Sequence, residues 1–388
     1  MPEQLIKRKV TVPYGSHGLT TYVIANKTTH TIMPAACAYL FSLTRDSGLR
    51  LNSVKSYAST LVSFLNTIDD DPNIEGFETL TDKQMRAYLE LILCGHKKVK
   101  ENTINQYITR LKGFYDFCWD YGWVLDKPVF SWQMSHQVMQ KMKLVEAQKN
   151  SLDPYNLPEQ YIPESEFIEL LSYNPRKGYY ENERDEIVFK LGYYSGLRAS
   201  ETVSASNLLI KKIKKSIDKA KGQNQKGFHI TIIGKGSSGG KAREIYVPES
   251  LKNQILRFID GTRKNVPGDL LICKADGEAL HERLASDTFS DAIKLIAASD
   301  AKSSEAWRQK KQRSYHSLRH SYATNLAQWL KENGQPRRLL NERLGHTNDA
   351  TTLIYVHFNA LIHGDVDEQN ETEQEIRKAN RRANVDHE

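Results

Sequence analysis

Between His316 and Tyr355 the chain places five side chains suited to work on a phosphate ester. His316, Arg319 and His320 stand in His-Ser-Leu-Arg-His, His346 follows Leu344-Gly345, and Tyr355 comes nine residues after His346. An arginine can fork onto phosphate oxygens, an imidazole can move a proton, and a tyrosine hydroxyl can attack phosphorus. The i, i+3, i+4 spacing of 316, 319 and 320 puts all three on one face of a helix start, and helix N-termini attract phosphate. Gly345 is the expected C-cap of one helix and exposes His346 on the turn after it.

Two further candidates lie upstream. Arg198 sits in Ser-Gly-Leu-Arg-Ala-Ser-Glu, residues 195–201. A glycine break before it and Glu201 one turn later suggest a carboxylate-supported arginine. Lys235 stands in Gly-Lys-Gly within a glycine-rich turn, where it can swing into a site. Each of these residues also has an ordinary reading: structural histidines, a surface ion pair, a plain β-turn, and one packing tyrosine among nineteen. The Walker pattern of a nucleotide-binding loop is absent. No carboxylate cluster accompanies the motifs, which argues against a metal-dependent nuclease.

The elements that must position these residues read mostly as helix. At 388 residues two domains are expected. Residues 1–30 carry Lys7, Arg8 and Lys9 and then β-branched residues, an extended arm or hairpin. Helices follow at 34–45, from the Asn52-Ser53 cap through Ile68, from a Thr81 or Asp82 cap through Ile92, and over 104–118, each with apolar residues at helical spacing. Pro128, Pro154 and Pro158 mark a linker, with a short helix around 132–147. Helices resume at Pro163-Glu164 and after Asn182. The runs 228–233 and 243–247 flank the glycine-rich turn and predict a β-hairpin, with Asp269–Cys273 as a third strand. Helices over 287–298, 318–331, 336–344 and 348–355 complete this half. The tail from Asp365 is polar, acidic in its first half and basic in its second.

Net charge is +7, with 39% hydrophobic and 26% charged residues, which favours a polyanionic partner. Lys97, Lys98, Lys100, Arg110 and Lys112 cluster on the fourth helix and its approach. They are candidate DNA contacts, or a solvated face. The four cysteines are far apart, which argues against a zinc site and a disulfide framework. With no signal segment and no long apolar run, the sequence predicts a cytoplasmic, nucleoid-associated protein with no membrane partner.

Singly these signals are weak; in this order and spacing they resemble the tyrosine recombinase (phage integrase) family. The motifs around Arg198, Lys235, His316, Arg319, His346 and Tyr355 cover the catalytic half, and residues 31–125 resemble the family's core-binding domain by pattern. The resemblance implies a mainly α fold: a helical, SAM-like core-binding domain and an α-rich catalytic domain with a small antiparallel sheet. The expected organisation is an arm at 1–30, the core-binding domain at 31–125, a linker at 126–160, the catalytic domain at 161–364 and a charged tail at 365–388. It further implies a site-specific recombinase that forms a 3′-phosphotyrosyl link at Tyr355 without ATP, metal or other cofactor. Arg198, Arg319 and His346 then bind the phosphate, His316 is the base, and Lys235 (or Lys241, on the enlarged turn) is the leaving-group acid. Glu201 and His320 support the site. The implied partners are duplex DNA with a specific site and a homotetramer on two such sites, working through a Holliday junction, with accessory DNA-bending or directionality proteins. Integration, excision and resolution of a mobile element all fit. The alternatives are a type IB topoisomerase-like enzyme, which reseals the same strand, and an inactive DNA-binding protein on this scaffold.

Overall fold

The computed structural model describes residues 4–132, 155–175, 178–234, 240–299, 304–310, 312–346 and 349–385. The chain divides into two units, Met1–Ala147 and Gln148–Glu388. Among the described residues no helix is long and apolar enough to cross a membrane.

The first unit opens with an antiparallel hairpin, β1 (Leu5–Tyr14) and β2 (His17–Asn26), in register from Leu5↔Asn26 to Tyr14↔His17. Gly15 takes the left-handed conformation in its tight turn. Rather than projecting as an arm, the hairpin buries Leu5, Tyr22 and Ile24 in the same core as the helices. Asn66 ties it down, accepting from Leu5 N at 2.7 Å and donating to Leu5 O at 3.0 Å. The α-helices that follow among the described residues are α1 (Pro34–Arg45), α2 (Leu51–Asp69), α3 (Asp82–Ala87) and α4 (Glu101–Asp120). Thr81 caps α3 through a reciprocal pair with Gln84. From Tyr88 to His96 the helix widens into a π-helix, which the spacing of apolar residues did not foretell. Val54, Leu61, Phe64, Leu65, Leu111, Phe114 and Tyr115 form the centre of this core. The expected helix at 132–147 falls, from Gln133 on, outside the described residues.

The second unit is a helical body around one small sheet. Its elements are α5 (Leu157–Gln160), α6 (Glu164–Ser172), α7 (Tyr179–Ser195), α8 (Ala199–Thr202), α9 (Ile210–Gly222), β3 (Phe228–Ile233), β4 (Ala242–Val247), α10 (Glu249–Asp260), α11 (Leu284–Ala298), α12 (Ser304–Gln309), α13 (Tyr315–Glu332), α14 (Arg338–Leu344), α15 (Ala350–His363) and α16 (Val366–Val385). The β3–β4 hairpin pairs Phe228↔Val247 through Ile233↔Ala242, as the alternation predicts. The third strand does not form. Residues 269–273 make only an isolated bridge, Leu209↔Leu270, and Leu271, Ile272 and Cys273 are consecutively buried instead of alternating. Lys211, Lys212, Lys214, Lys215, Lys219 and Lys221 all fall on α9, which buries Ile213, Ile217 and Ala220 and turns these lysines outward. The polar tail is helical in α16. Lys331 pairs there with Asp365 and Glu368, and Arg337 reaches Glu368, Glu371 and Glu375.

Two hydrophobic clusters organise this unit. One packs α7, the hairpin, α10 and α11 around Phe189, Phe228, Phe258 and Phe289. The other joins α13, α14, α15 and α16 through Leu330, Leu340, Leu344, Ile354, Tyr355 and Ile376. α13 contributes to both, which brings its polar face between them.

Candidate active site

α7 ends at Gly196, whose φ of 67° lets the chain reverse. A Cβ there would stand 2.4 Å from the Tyr322 ring, so the position needs glycine twice over. Two residues later Arg198 caps α8. The Glu201 carboxylate accepts from the Arg198 backbone N–H at 2.8 Å and from its Nη1 at 2.9 Å. The sequence leaves open a surface ion pair for these two; the structure buries Glu201 to 3% exposure and leaves Arg198 half-buried.

A residue that the motifs did not single out completes this group. Arg243 of β4, itself 6% exposed, binds Glu201 with both Nη atoms, at 2.7 and 2.6 Å. Its Nε donates to Arg343 O at 3.1 Å. Burial alone would raise the Glu201 carboxyl, but the hydrogen bonds and charge of Arg243, with help from Arg198, lower it to about 2. The signal was present in the strand pattern. Arg243, Ile245 and Val247 alternate on the buried face of β4, and a buried guanidinium requires a partner.

Asn207 fixes the root of the hairpin. Its Nδ2 donates to Glu201 O and to Ile233 O, each at 3.1 Å, and its Oδ1 accepts from Ile233 N at 2.8 Å. The next residue, Gly234, is so close that a Cβ would lie 2.9 Å from Arg243 Nη1 and 3.0 Å from Glu201 Oε1. Gly234 therefore lies directly beside the Arg198–Glu201–Arg243 group. Lys235, expected at its tip, lies outside the described residues; Lys241 on the returning side is exposed.

α13 supplies the next three residues. Arg319, 1% exposed, donates from Nη1 to Gly196 O at 2.5 Å and from Nη2 to Leu344 O. Among the described residues no carboxylate pairs with it. Burial, then the charges of Arg198 and Arg243, lower its pKa to about 9. Two guanidiniums thus share the Glu201 carboxylate while a third, Arg319, stands near it without a carboxylate of its own among the described residues, an electrostatic imbalance that an anion would relieve.

The histidines are held neutral around this charge. His316 keeps a solvent-exposed ring although protein crowds it from below. Burial, then the charges of Arg319 and Arg198, lower its pKa to about 4. His320, 4% exposed, is lowered to about 3 by burial and by its neighbours His316, Arg319 and His346. His346 follows the left-handed C-cap Gly345 (φ 65°) of α14, and its Nδ1 meets Thr352 Oγ1 at 3.0 Å. Burial and three arginine charges lower it to about 3 as well.

Tyr355, on α15, is 2% exposed. Its ring lies at 26° to His346 and at 16° to Tyr155, with centroids 6.3 and 6.2 Å apart. Its hydroxyl meets His320 Nδ1 at 2.9 Å. In this state the hydroxyl rests on His320, and His316 stands edge-on to that ring, centroids 4.5 Å apart. Both histidines share a helix face, so only packing could choose between them.

Arg198, Glu201, His316, Arg319, His320, His346 and Tyr355 therefore converge, joined by Arg243. In the first unit Lys98, Lys100 and Lys112 are exposed, and Lys97, also exposed, reaches Ser63 Oγ at 3.0 Å. Arg110 is different. It donates to Thr60 Oγ1 at 3.0 Å and lies over the Tyr57 ring, so it serves the packing of its own unit.

The chain has relatives over both units. The model described as "Phage integrase family" matches residues 161–361, and the "Phage integrase, N-terminal SAM-like domain" matches residues 37–121. Tyrosine recombinase XerC of Staphylococcus aureus is 26% identical over 330 residues, 82% of this chain and 90% of that protein. Among solved structures, the XerH site-specific recombinase in a post-cleavage complex with palindromic difH substrate aligns with TM-score 0.54 at 20% identity, over 86% of this chain and 85% of that one. A lambda integrase tetramer bound to a Holliday junction aligns with TM-score 0.50 at 14% identity, over 81% and 77% of the two chains. At these identities the two structures speak to fold.

Proposed function

The chain belongs to the phage integrase family of tyrosine recombinases, enzymes that cut and rejoin DNA, and from that premise we propose that Tyr355 is its nucleophile and the surrounding cluster its active site. The supporting observation is the convergence of the Tyr355 hydroxyl and three histidines with three arginines, of which Arg198 and Arg243 share the Glu201 carboxylate and Arg319 has none among the described residues. A scissile phosphodiester supplies the negative charge that these guanidiniums would bind. Arg198 and Arg319 neutralise its non-bridging oxygens, and His346 donates a further hydrogen bond. The Tyr355 oxygen bonds to phosphorus as the bond to the 5′-oxygen breaks. The phenolic proton goes to a histidine, and the 5′-oxygen takes a proton from Lys235, or from Lys241 if that side chain reaches the site. The products are a 3′-phosphotyrosyl ester and a 5′-hydroxyl. Attack by the 5′-hydroxyl of a partner strand reverses the step, and the ester conserves the bond energy.

The two histidines of α13 divide the work. His320, buried and held neutral down to about pH 3, is a poor proton acceptor; it parks the hydroxyl. His316 has an open edge where a phosphate approaches, and that negative charge restores its basicity. At 2% exposure Tyr355 must leave His320 to attack, so the described state is a resting one.

The substrate is duplex DNA with a specific recombination site, worked on by a homotetramer holding two sites through a Holliday junction, with accessory DNA-bending or directionality proteins. Lys97, Lys98, Lys100 and Lys112 contribute phosphate contacts. The task is integration and excision, or resolution, of a mobile element, carried out on nucleoid DNA in the cytoplasm. The organisation proposed for this work is a helical core-binding domain over 31–125 and a catalytic domain over 161–364. The test is direct. A duplex recovered by binding selection from a randomised library is nicked near the cleaved position and incubated with the protein in chelator. A denaturation-resistant protein–DNA adduct is expected from wild type and none from Tyr355→Phe; no adduct from wild type, or an equal one from the variant, overturns the reading.

A further inference from the structure

We propose that Arg243 is a positioning residue that keeps Arg198 free for the phosphate, by occupying the Glu201 carboxylate which would otherwise capture it. This rests on the recombinase reading. A carboxylate offers about four acceptor sites and an arginine roughly five donors. Glu201 makes four bonds: two to Arg243, one to the Arg198 backbone N–H and one to Arg198 Nη1. Arg198 therefore spends one side-chain donor on Glu201 and points the others elsewhere. Without Arg243, two buried acceptor positions fall vacant within reach of a guanidinium already in contact. A bidentate Arg198–Glu201 pair is the lowest-cost way to fill them, and it withdraws Arg198 from the substrate.

The location of Arg243 extends the same role to the rest of the site. Its Nε holds Arg343 O, just before the turn that carries His346. A Cβ at Gly345 would lie 2.9 Å from Arg243 Cδ, and one at Gly234 would lie 2.9 Å from Nη1. One side chain thus sets the spacing between the turn that leads to Lys235, the Arg198–Glu201 turn and the His346 turn. Arg243 is 6% exposed and turns Nε to Arg343 O and both Nη atoms to Glu201, which sets it behind Arg198 and not against the phosphate.

The experiment compares wild type, Arg243→Gln, and the double variant Glu201→Gln with Arg243→Gln. A crystal structure of Arg243→Gln is expected to show Arg198 with both Nη atoms on Glu201; an Arg198 left in its present single contact overturns the proposal. On the selected nicked duplex, Arg243→Gln is expected to form adduct roughly ten- to a hundredfold more slowly, the scale on which outer-shell partners act. The double variant, with no carboxylate to capture Arg198, is expected to recover at least part of that loss. A merely structural arginine predicts the opposite order, with the double variant no better than the single one, and that result sinks the proposal. Thermal unfolding of all three confirms that folded protein is compared. Wild-type adduct formation separates the two failures: without it the recombinase reading falls, and with it only the role of Arg243 is at stake.

Discussion

The Tyr355 hydroxyl rests on Nδ1 of His320, while His316, one helical turn earlier, keeps the exposed ring. This division predicts unequal losses. His316→Gln is expected to slow adduct formation by on the order of 10²–10⁴, the range for a general base. His320→Gln should cost less than about tenfold and should leave Tyr355 more reactive to tetranitromethane nitration. Equal losses, or unchanged nitration, would show that the two rings do not have separate duties.

The buried neutral histidines also shape stability against pH. The folded pKa values of His320 and His346, lowered to about 3, lie below the ordinary value near 6.5 expected on unfolding. Protonation therefore favours the unfolded chain, and their contribution, full above about pH 6.5, is lost as pH falls toward 3. Glu201 adds a similar loss lower down, between about 4.5 and about 2. Unfolding midpoints measured at pH 8 and pH 5 should differ for wild type and lie closer together for His320→Gln. A difference undiminished by that substitution would refute the linkage.

Two glycines separate backbone strain from steric conflict. Gly345 and Gly364 both cap helices at positive φ, 65° and 69°. A Cβ at Gly364 meets nothing within 4 Å, whereas one at Gly345 meets Arg243 Cδ at 2.9 Å. Gly364→Ala should cost about 1 kcal/mol, with cleavage little changed. Gly345→Ala should cost roughly 1–3 kcal/mol and also slow adduct formation by shifting His346. Similar cleavage rates in the two variants would mean that the Arg243 contact yields.

Salt dependence tests the first unit's basic residues. Binding to the selected duplex should weaken steeply with salt, and replacing Lys98, Lys100 and Lys112 by Gln should reduce the log–log slope by about three. Arg110→Gln should lower the unfolding temperature with a smaller effect on slope, because Arg110 is engaged with Thr60 and Tyr57. A slope change confined to Arg110→Gln would reverse these assignments.

The site was legible through motifs. Singly, Arg198, Arg319, His346 and Tyr355 are weak signals; they could be chosen because their order and spacing resemble the phage integrase family, and the structure brings the four together. The hairpin register was legible from alternation, since one face must be buried. Arg243 was not found, because alternation with Ile245 and Val247 turns it inward but does not name the carboxylate that a buried guanidinium needs. The segment at 269–273 misled for a related reason: consecutive apolar residues satisfy a buried loop as well as a strand. The lysines of α9 hid a helix whose apolar signal is the sparse set Ile210, Ile213, Ile217 and Ala220. Packing alone decides which of two stacked histidines receives a hydroxyl, and no single-chain pattern carries that information.

The Asn207 clamp makes the hairpin observable from within. Ile233 N–H is bonded to a side-chain amide oxygen, and that same amide donates to Glu201 O. The exchange of this one backbone proton with heavy water consequently meters how firmly the root of the turn is seated against the active site. A spectroscopist could read DNA engagement from the protection of a single resonance, in a chain carrying no added probe.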